Sequence, residues 1–247
     1  MKHNKKFRYP RTKRELIDGL RHYDINEGQW KLPSVTTILD RTQSAEKREA
    51  LRKWREAKGE IEATRIVASS AARGTAMHKI LEKYIIEDGY LDLTDNGLQA
   101  HNMAKQVIER GLCNVPEFYG SEATLYYPGL YAGSTDLVCI HKGEDAIVDF
   151  KQTNKPKKRE WVGDYFLQLG AYGMAHDYVY KTTINKAVIM MCSKDNYYQE
   201  FVIQGPEFRE AKHNFLKRVT EYYEMQQEPK IEIKEEDFDK KKNCPHN

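Results

Sequence analysis

Between residues 122 and 151 the apolar side chains fall at alternate positions, in three short runs cut by turn residues. This stretch restricts the fold more than any other. The runs 122–127, 131–140 and 146–151 read as three strands. Pro128-Gly129 separates the first two, and a 141–145 segment with Gly143 and Asp145 separates the last two. Strands joined by such short turns are antiparallel neighbours. On either side the spacing is helical. Residues 47–66 carry Leu51, Trp54 and Ile61, with Gly59 as a break between two helices. Helices follow over 71–87, with Gly89 just beyond, and over 96–110, closed by Gly111. A further helix spans 161–180, then strands 187–192 and 198–203 flank a Ser-Lys-Asp-Asn turn, and 208–226 forms an amphipathic helix. Ser34 reads as the cap of a short helix within 32–39. Residues 1–30 are polar and read as irregular or peripheral, and 228–247 as a charged, frayed tail. The order predicts an α/β fold: a central mixed β-sheet flanked by helices, preceded by a helical N-terminal region.

Several function classes drop out. The longest apolar runs, such as 187–192, are too short to cross a bilayer, so no membrane partner is expected. Cys113, Cys139, Cys192 and Cys244 form no C-x-x-C pair, which argues against a zinc or iron–sulfur site. The basic start of the chain is not followed by an apolar signal segment, so a cytosol-like compartment with reduced thiols is expected. A net charge of +3 says little about a polyanionic partner. The local clusters 2–14, 41–58 and 155–159 say more, because grouped Lys and Arg neutralise phosphates. Nothing in the sequence requires a dimer, and a monomer is expected.

The chemistry concentrates on the second and third strands. In Ala146-Ile147-Val148-Asp149-Phe150-Lys151, side chains alternate faces, so Asp149 and Lys151 project together. Asp136 interrupts the preceding strand and lies beside Asp149 across the hairpin. Two adjacent carboxylates repel unless a cation sits between them. Mg²⁺ or Mn²⁺ suits oxygen ligands and phosphate substrates. The Phe150 carbonyl is available as a further ligand, and Lys151 to orient a water and stabilise developing charge. Asp-x-Lys alone fits a surface ion pair equally well. The flanking helices add to it. His78 and Glu82 share a helix face four residues apart, with Gly74 at the entry. Gln168 and Tyr172 repeat that spacing on the later helix.

In order, Pro33-Ser34-Val35-Thr36, Gly74-Thr75-x-x-His78, Gly133-x-x-Asp136, Asp149-Phe150-Lys151 and Gln168-x-x-x-Tyr172 resemble the PD-(D/E)XK nuclease superfamily, and within it the RecB-like exonuclease branch. The resemblance covers 32–223. It implies a restriction-endonuclease-like core over 71–227, a basic and helical segment 1–70 forming part of a DNA channel, and an appended tail 228–247. It implies a metal-dependent exonuclease acting on single-stranded DNA from a free end in replication, repair or recombination. His78, Asp136 and Asp149 would ligate the metal and Lys151 would position the nucleophile. Gln168 and Tyr172 would support the site, with Glu82 and Glu122 behind the ligands. DNA contacts are expected from Ser34, Thr36, Lys53, Trp54, Arg73, Lys155, Lys157, Lys158 and Trp161. No iron–sulfur cluster is expected, and a phage-like source would place the protein in the host bacterial cytoplasm. A structure-specific or restriction-type endonuclease and a catalytically silent single-strand DNA-binding module remain open readings.

Overall fold

The computed structural model describes residues 1–10, 12–25 and 27–227; the tail 228–247, with Cys244, lies outside them. In chain order the strands and helices are β1 (Lys2–His3), β2 (Lys13–Ile17), β3 (Leu20–Ile25), β4 (Trp30–Pro33), α1 (Val35–Arg41), α2 (Ala45–Lys58), α3 (Glu60–Ile85) and α4 (Asp95–Arg110). There follow β5 (Glu117–Tyr127), β6 (Tyr131–His141), β7 (Glu144–Thr153), α5 (Gly163–Tyr180), β8 (Lys186–Ser193), β9 (Tyr198–Gln204) and α6 (Pro206–Gln227). The fold is mixed α/β, as the sequence predicts. A six-stranded sheet runs β1-β5-β6-β7-β8-β9, and β2-β3-β4 form a separate antiparallel sheet. The pairs β1–β5 and β7–β8 are parallel and the other pairs are antiparallel. Parallel neighbours need a crossover, and α5 supplies it between β7 and β8.

Two apolar layers sandwich the large sheet. One face packs Val138, Ile147, Ile189 and Met191 against α1, α5 and α6; the other packs Leu137, Val148, Phe150 and Met190 against α3 and α4. All eight residues of β8 are buried, because both faces of that strand are covered. Phe208 and Phe215 of α6 are fully buried. Each contributes roughly 1.5–3 kcal/mol through apolar area removed from water. Among the described residues no helix is long and apolar enough to cross a membrane.

The N-terminal region departs from expectation. Residues 1–30 carry β1, β2, β3 and the start of β4 rather than irregular chain alone. The β2–β3 hairpin turns on Asp18 (φ 51°) and Gly19 (φ 74°). Asp-Gly with both residues at positive φ is the two-residue turn that matches strand twist. β1 joins the edge of the main sheet, with the His3 ring stacked 4.7 Å from Phe118. Gly59 (φ 77°) does break the helical run, and a Ser44 side chain caps α2. No second break exists near residue 70, because α3 is continuous for 26 residues. A boundary at 70/71 therefore falls inside one helix. The expected Ser34 cap is present, its side chain accepting from the Thr37 N–H.

Candidate active site

Three neighbouring strands present carboxylates at one level. The β5–β6 ladder pairs Ser121 with Leu137 and Ala123 with Thr135, so Glu122 lies across from Asp136. The β6–β7 ladder ends at Leu137–Val148, so the next residues across are Asp136 and Asp149. Past that point the side chain replaces the ladder: the Phe150 N–H donates to Asp136 Oδ2 at 2.5 Å. The second oxygen, Asp136 Oδ1, lies 3.1 Å from His78 Nδ1 of α3. Glu122 sits at φ 50°, uncommon for a residue with a side chain, and accepts from Ser134 at 3.2 Å. Asp149 pairs with Lys151. Lys151 donates to Gln168 Oε1 at 3.2 Å, and Gln168 Nε2 donates to the Tyr172 hydroxyl at 3.1 Å. The Lys151 ammonium also lies 4.9 Å from the Tyr165 ring centre.

The charges reshape one another. Burial drives the Asp149 carboxyl up to about 6, with Asp136 adding to the rise and Lys151 opposing it. Burial pulls the His78 imidazole down, but the Asp136 carboxylate outweighs it and lifts the group to about 9. Burial would raise Asp136, yet His78 and Lys151 hold it below the ordinary carboxylate range. Burial and the nearby Asp136 charge raise Glu122. A site this crowded with negative charge calls for a cation. Donor atoms of His78, Glu122 and Asp136 lie within 4.8 Å of one another. Two carboxylates and an imidazole suit a divalent ion. This trio shares His78 and Asp136 with the ligand set implied by the sequence; Asp149, the third member of that set, is ion-paired with Lys151 next to it.

These groups line one open cleft of about 810 Å³. His78, Glu82, Glu122, Asp136, Asp149, Lys151, Gln168, Tyr172, Ser34 and Thr36 all face it. Glu82 is paired with Lys79 at 2.8 Å. Phe150 is 2% exposed, with its ring in the core. Lys53 and Trp54 lie on α2 and Lys155, Lys157, Lys158 and Trp161 on the segment after β7, all outside the cleft lining. Lys158 stacks over Trp161 at 5.5 Å, and the Lys157 N–H is bound to Gln199. Arg73, expected at a DNA surface, is 2% exposed; it binds Gln152, Gln99 and Asn154 and ties α3 to α4 and β7. The cleft also holds Arg14, from the basic cluster 2–14, and Arg21 and Tyr23, which sequence reasoning missed. The Asp18-Gly19 turn signal was the clue, since it folds β2 and β3 over the site.

No protein-family model matches the chain. It is 25% identical over 216 residues to mitochondrial genome maintenance exonuclease 1 of Homo sapiens, covering 78% of this chain and 62% of that protein. To the Mus musculus protein of the same name it is 26% identical over 174 residues, covering 66% and 50%. The chain thus spans between half and two thirds of the length of these relatives. A solved structure of a candidate exonuclease from Eubacterium rectale aligns with TM-score 0.46 at 13% identity, over 71% of this chain and 76% of that one.

Proposed function

We propose that this chain is a metal-dependent DNA exonuclease that hydrolyses phosphodiester bonds of single-stranded DNA from a free end. The row Glu122, Asp136 and Asp149, with Lys151 and His78 beside it on the wall of an open cleft, carries this reading. Similarity to relatives named as exonucleases, over 78% of the chain for the human protein, supports the same reaction class. His78, Glu122 and Asp136 would hold Mg²⁺ or Mn²⁺, with Asp149 and the Phe150 carbonyl as neighbouring oxygen donors. A divalent ion there supplies Lewis acidity at the phosphoryl oxygen and a bound water of lowered pKa.

The chain's own side chains do the rest. Lys151 sets a fixed positive charge where negative charge grows in the transition state. Gln168 and Tyr165 keep that ammonium from swinging away. Arg21 presents a cation toward the phosphates of a strand in the cleft, beside Arg14 and Lys79, which are ion-paired with Glu122 and Glu82, and Tyr90 presents an exposed ring for stacking. Cations interleaved with aromatics favour a single strand, where each stacked base contributes about 1–3 kcal/mol. Ser34 and Thr36 bring hydroxyls to the same wall.

The test uses end-labelled linear single strands and covalently closed circles of the same sequence, with Mg²⁺, with Mn²⁺ and with a chelator. Metal-dependent degradation of the linear form, with circles spared, is the expected result. Cleavage of circles would move the protein to the endonucleases. Binding without cleavage in either metal would make it a silent binding module.

A further inference from the structure

α3 separates the cleft from a second pocket. At 100° per residue, Thr75, His78 and Glu82 turn to the cleft, while Ser69 and Arg73 face the opposite way. There a pocket of about 260 Å³ is lined by Arg65, Ser69, Ser70, Arg73, Asn154 and Lys194. Three of these are cationic and none is acidic. Arg73 is 2% exposed, and every group it donates to is neutral: Gln152 Oε1 at 2.8 Å, Gln99 Oε1 at 3.2 Å, Ser70 Oγ at 3.4 Å, and Asn154 Oδ1. A buried guanidinium ordinarily has a carboxylate for a partner, because an uncompensated charge is costly to desolvate. Among the described residues Arg73 has none.

The surrounding groups are arranged to receive a negative one. Asn154 turns its Oδ1 to Arg73 and Ser70, which leaves its Nδ2 donor without an internal partner among the described residues. Lys194 is fixed through its backbone, its N–H donating to Thr153 and its carbonyl accepting from Gln99. Its ammonium has no ion pair among the described residues. Arg65 gives its Nε and Nη2 to Glu62 and keeps its Nη1. The parallel pair Thr153–Ser193 sets Asn154 and Lys194 side by side at the carboxyl ends of β7 and β8. Asn154 follows Lys151 by three residues, about 10 Å along a strand at about 3.3 Å each. A stacked nucleic-acid strand covers that distance in about three nucleotides, at about 3.4 Å each.

We infer that this pocket is an oxyanion site that takes a phosphate group of the nucleic-acid strand at a distance from the scissile bond. The identity of the strand rests on the function proposed above; the anion site itself does not. The experiment measures binding of a labelled single-stranded oligonucleotide, without divalent metal, over a series of salt concentrations. Lys194→Glu and Arg65→Glu change exposed side chains and leave the Arg73 bridge intact. Lys217→Glu on α6 serves as a control for net charge. Each pocket variant should bind on the order of tenfold more weakly, with a log–log salt slope shallower by about one, and the control should not change the slope. Unchanged slopes in both pocket variants would overturn the proposal. Inorganic phosphate is titrated in parallel by thermal shift. Stabilisation of the wild type but not of Lys194→Glu, with oligonucleotide binding unaffected, would assign the pocket to free phosphate and overturn its link to the strand. If the wild type binds no oligonucleotide, the digestion of linear strands described above decides the exonuclease reading, and the phosphate titration still decides the pocket.

Discussion

Lys151 is held by an ion pair to Asp149, a hydrogen bond to Gln168 and the face of Tyr165. Lys151→Ala removes the charge that offsets burial of Asp149 and should lower single-turnover cleavage by at least about 10²–10³-fold. Oligonucleotide affinity measured without metal should stay near wild type; a loss of affinity matching the loss of rate would mean the lysine serves binding instead. Gly133 tests the packing behind this charge. A Cβ there would lie 2.6 Å from the Tyr172 ring, whose hydroxyl anchors Gln168. Gly133→Ala should cost about 1–3 kcal/mol in urea unfolding and slow cleavage as well, because Tyr172 and Gln168 must shift together. At this scale the sequence revealed what alternation controls. Asp136, Asp149 and Lys151 share a face because β side chains alternate. The burial of Arg73 was not legible, because a guanidinium looks the same in sequence whether it meets solvent or four neutral acceptors. The place of Glu122 depends on a left-handed backbone that no spacing rule announces.

The elements differ in how firmly they are held. No side chain of α2 is fully buried, and the helix is tied to the body by Lys47, which pairs with Asp164 at the start of α5. Lys47→Ala should speed backbone hydrogen exchange over residues 45–58 while changing global stability by less than about 1 kcal/mol. Unchanged exchange would show that the ion pair does not tether the helix. The helices and the five core strands from β5 to β9 were legible because each carries its own period, and their predicted and observed limits differ mainly at the ends. Two errors have physical causes. β2 and β3 are short and mostly charged or polar, so they lack the apolar alternation that marked β6 and β7. The helix of 60–85 reads as two because Ser69 and Ser70 interrupt its apolar pattern, and of its first half only Ala63 is buried.

Across the whole molecule, acid stability should turn on a histidine outside the cleft. His176 is fully buried, 3.0 Å from the Tyr9 hydroxyl and 2.8 Å from the Thr182 hydroxyl. Burial holds its imidazole down to about 4. The unfolded chain takes up that proton near pH 6.5 and the folded chain only near 4, so the contribution of His176 to stability falls as pH drops through this window and is steady above it. The loss should be on the order of 3 kcal/mol. Urea unfolding at several pH values should show it in the wild type and show a flatter profile in His176→Gln; identical profiles would place the acid sensitivity elsewhere. The same cluster, with Phe7, Tyr119 and Tyr180 around His176, anchors the amino-terminal segment to the body. Its first residues, Lys2 and His3, cover the outer hydrogen-bonding row of β5. Deleting residues 1–6 would bare that row beside Phe118, and an uncovered strand edge recruits a strand from another molecule. Shortened forms should therefore self-associate in light scattering, and affinity handles for purification belong at the carboxyl end of the chain.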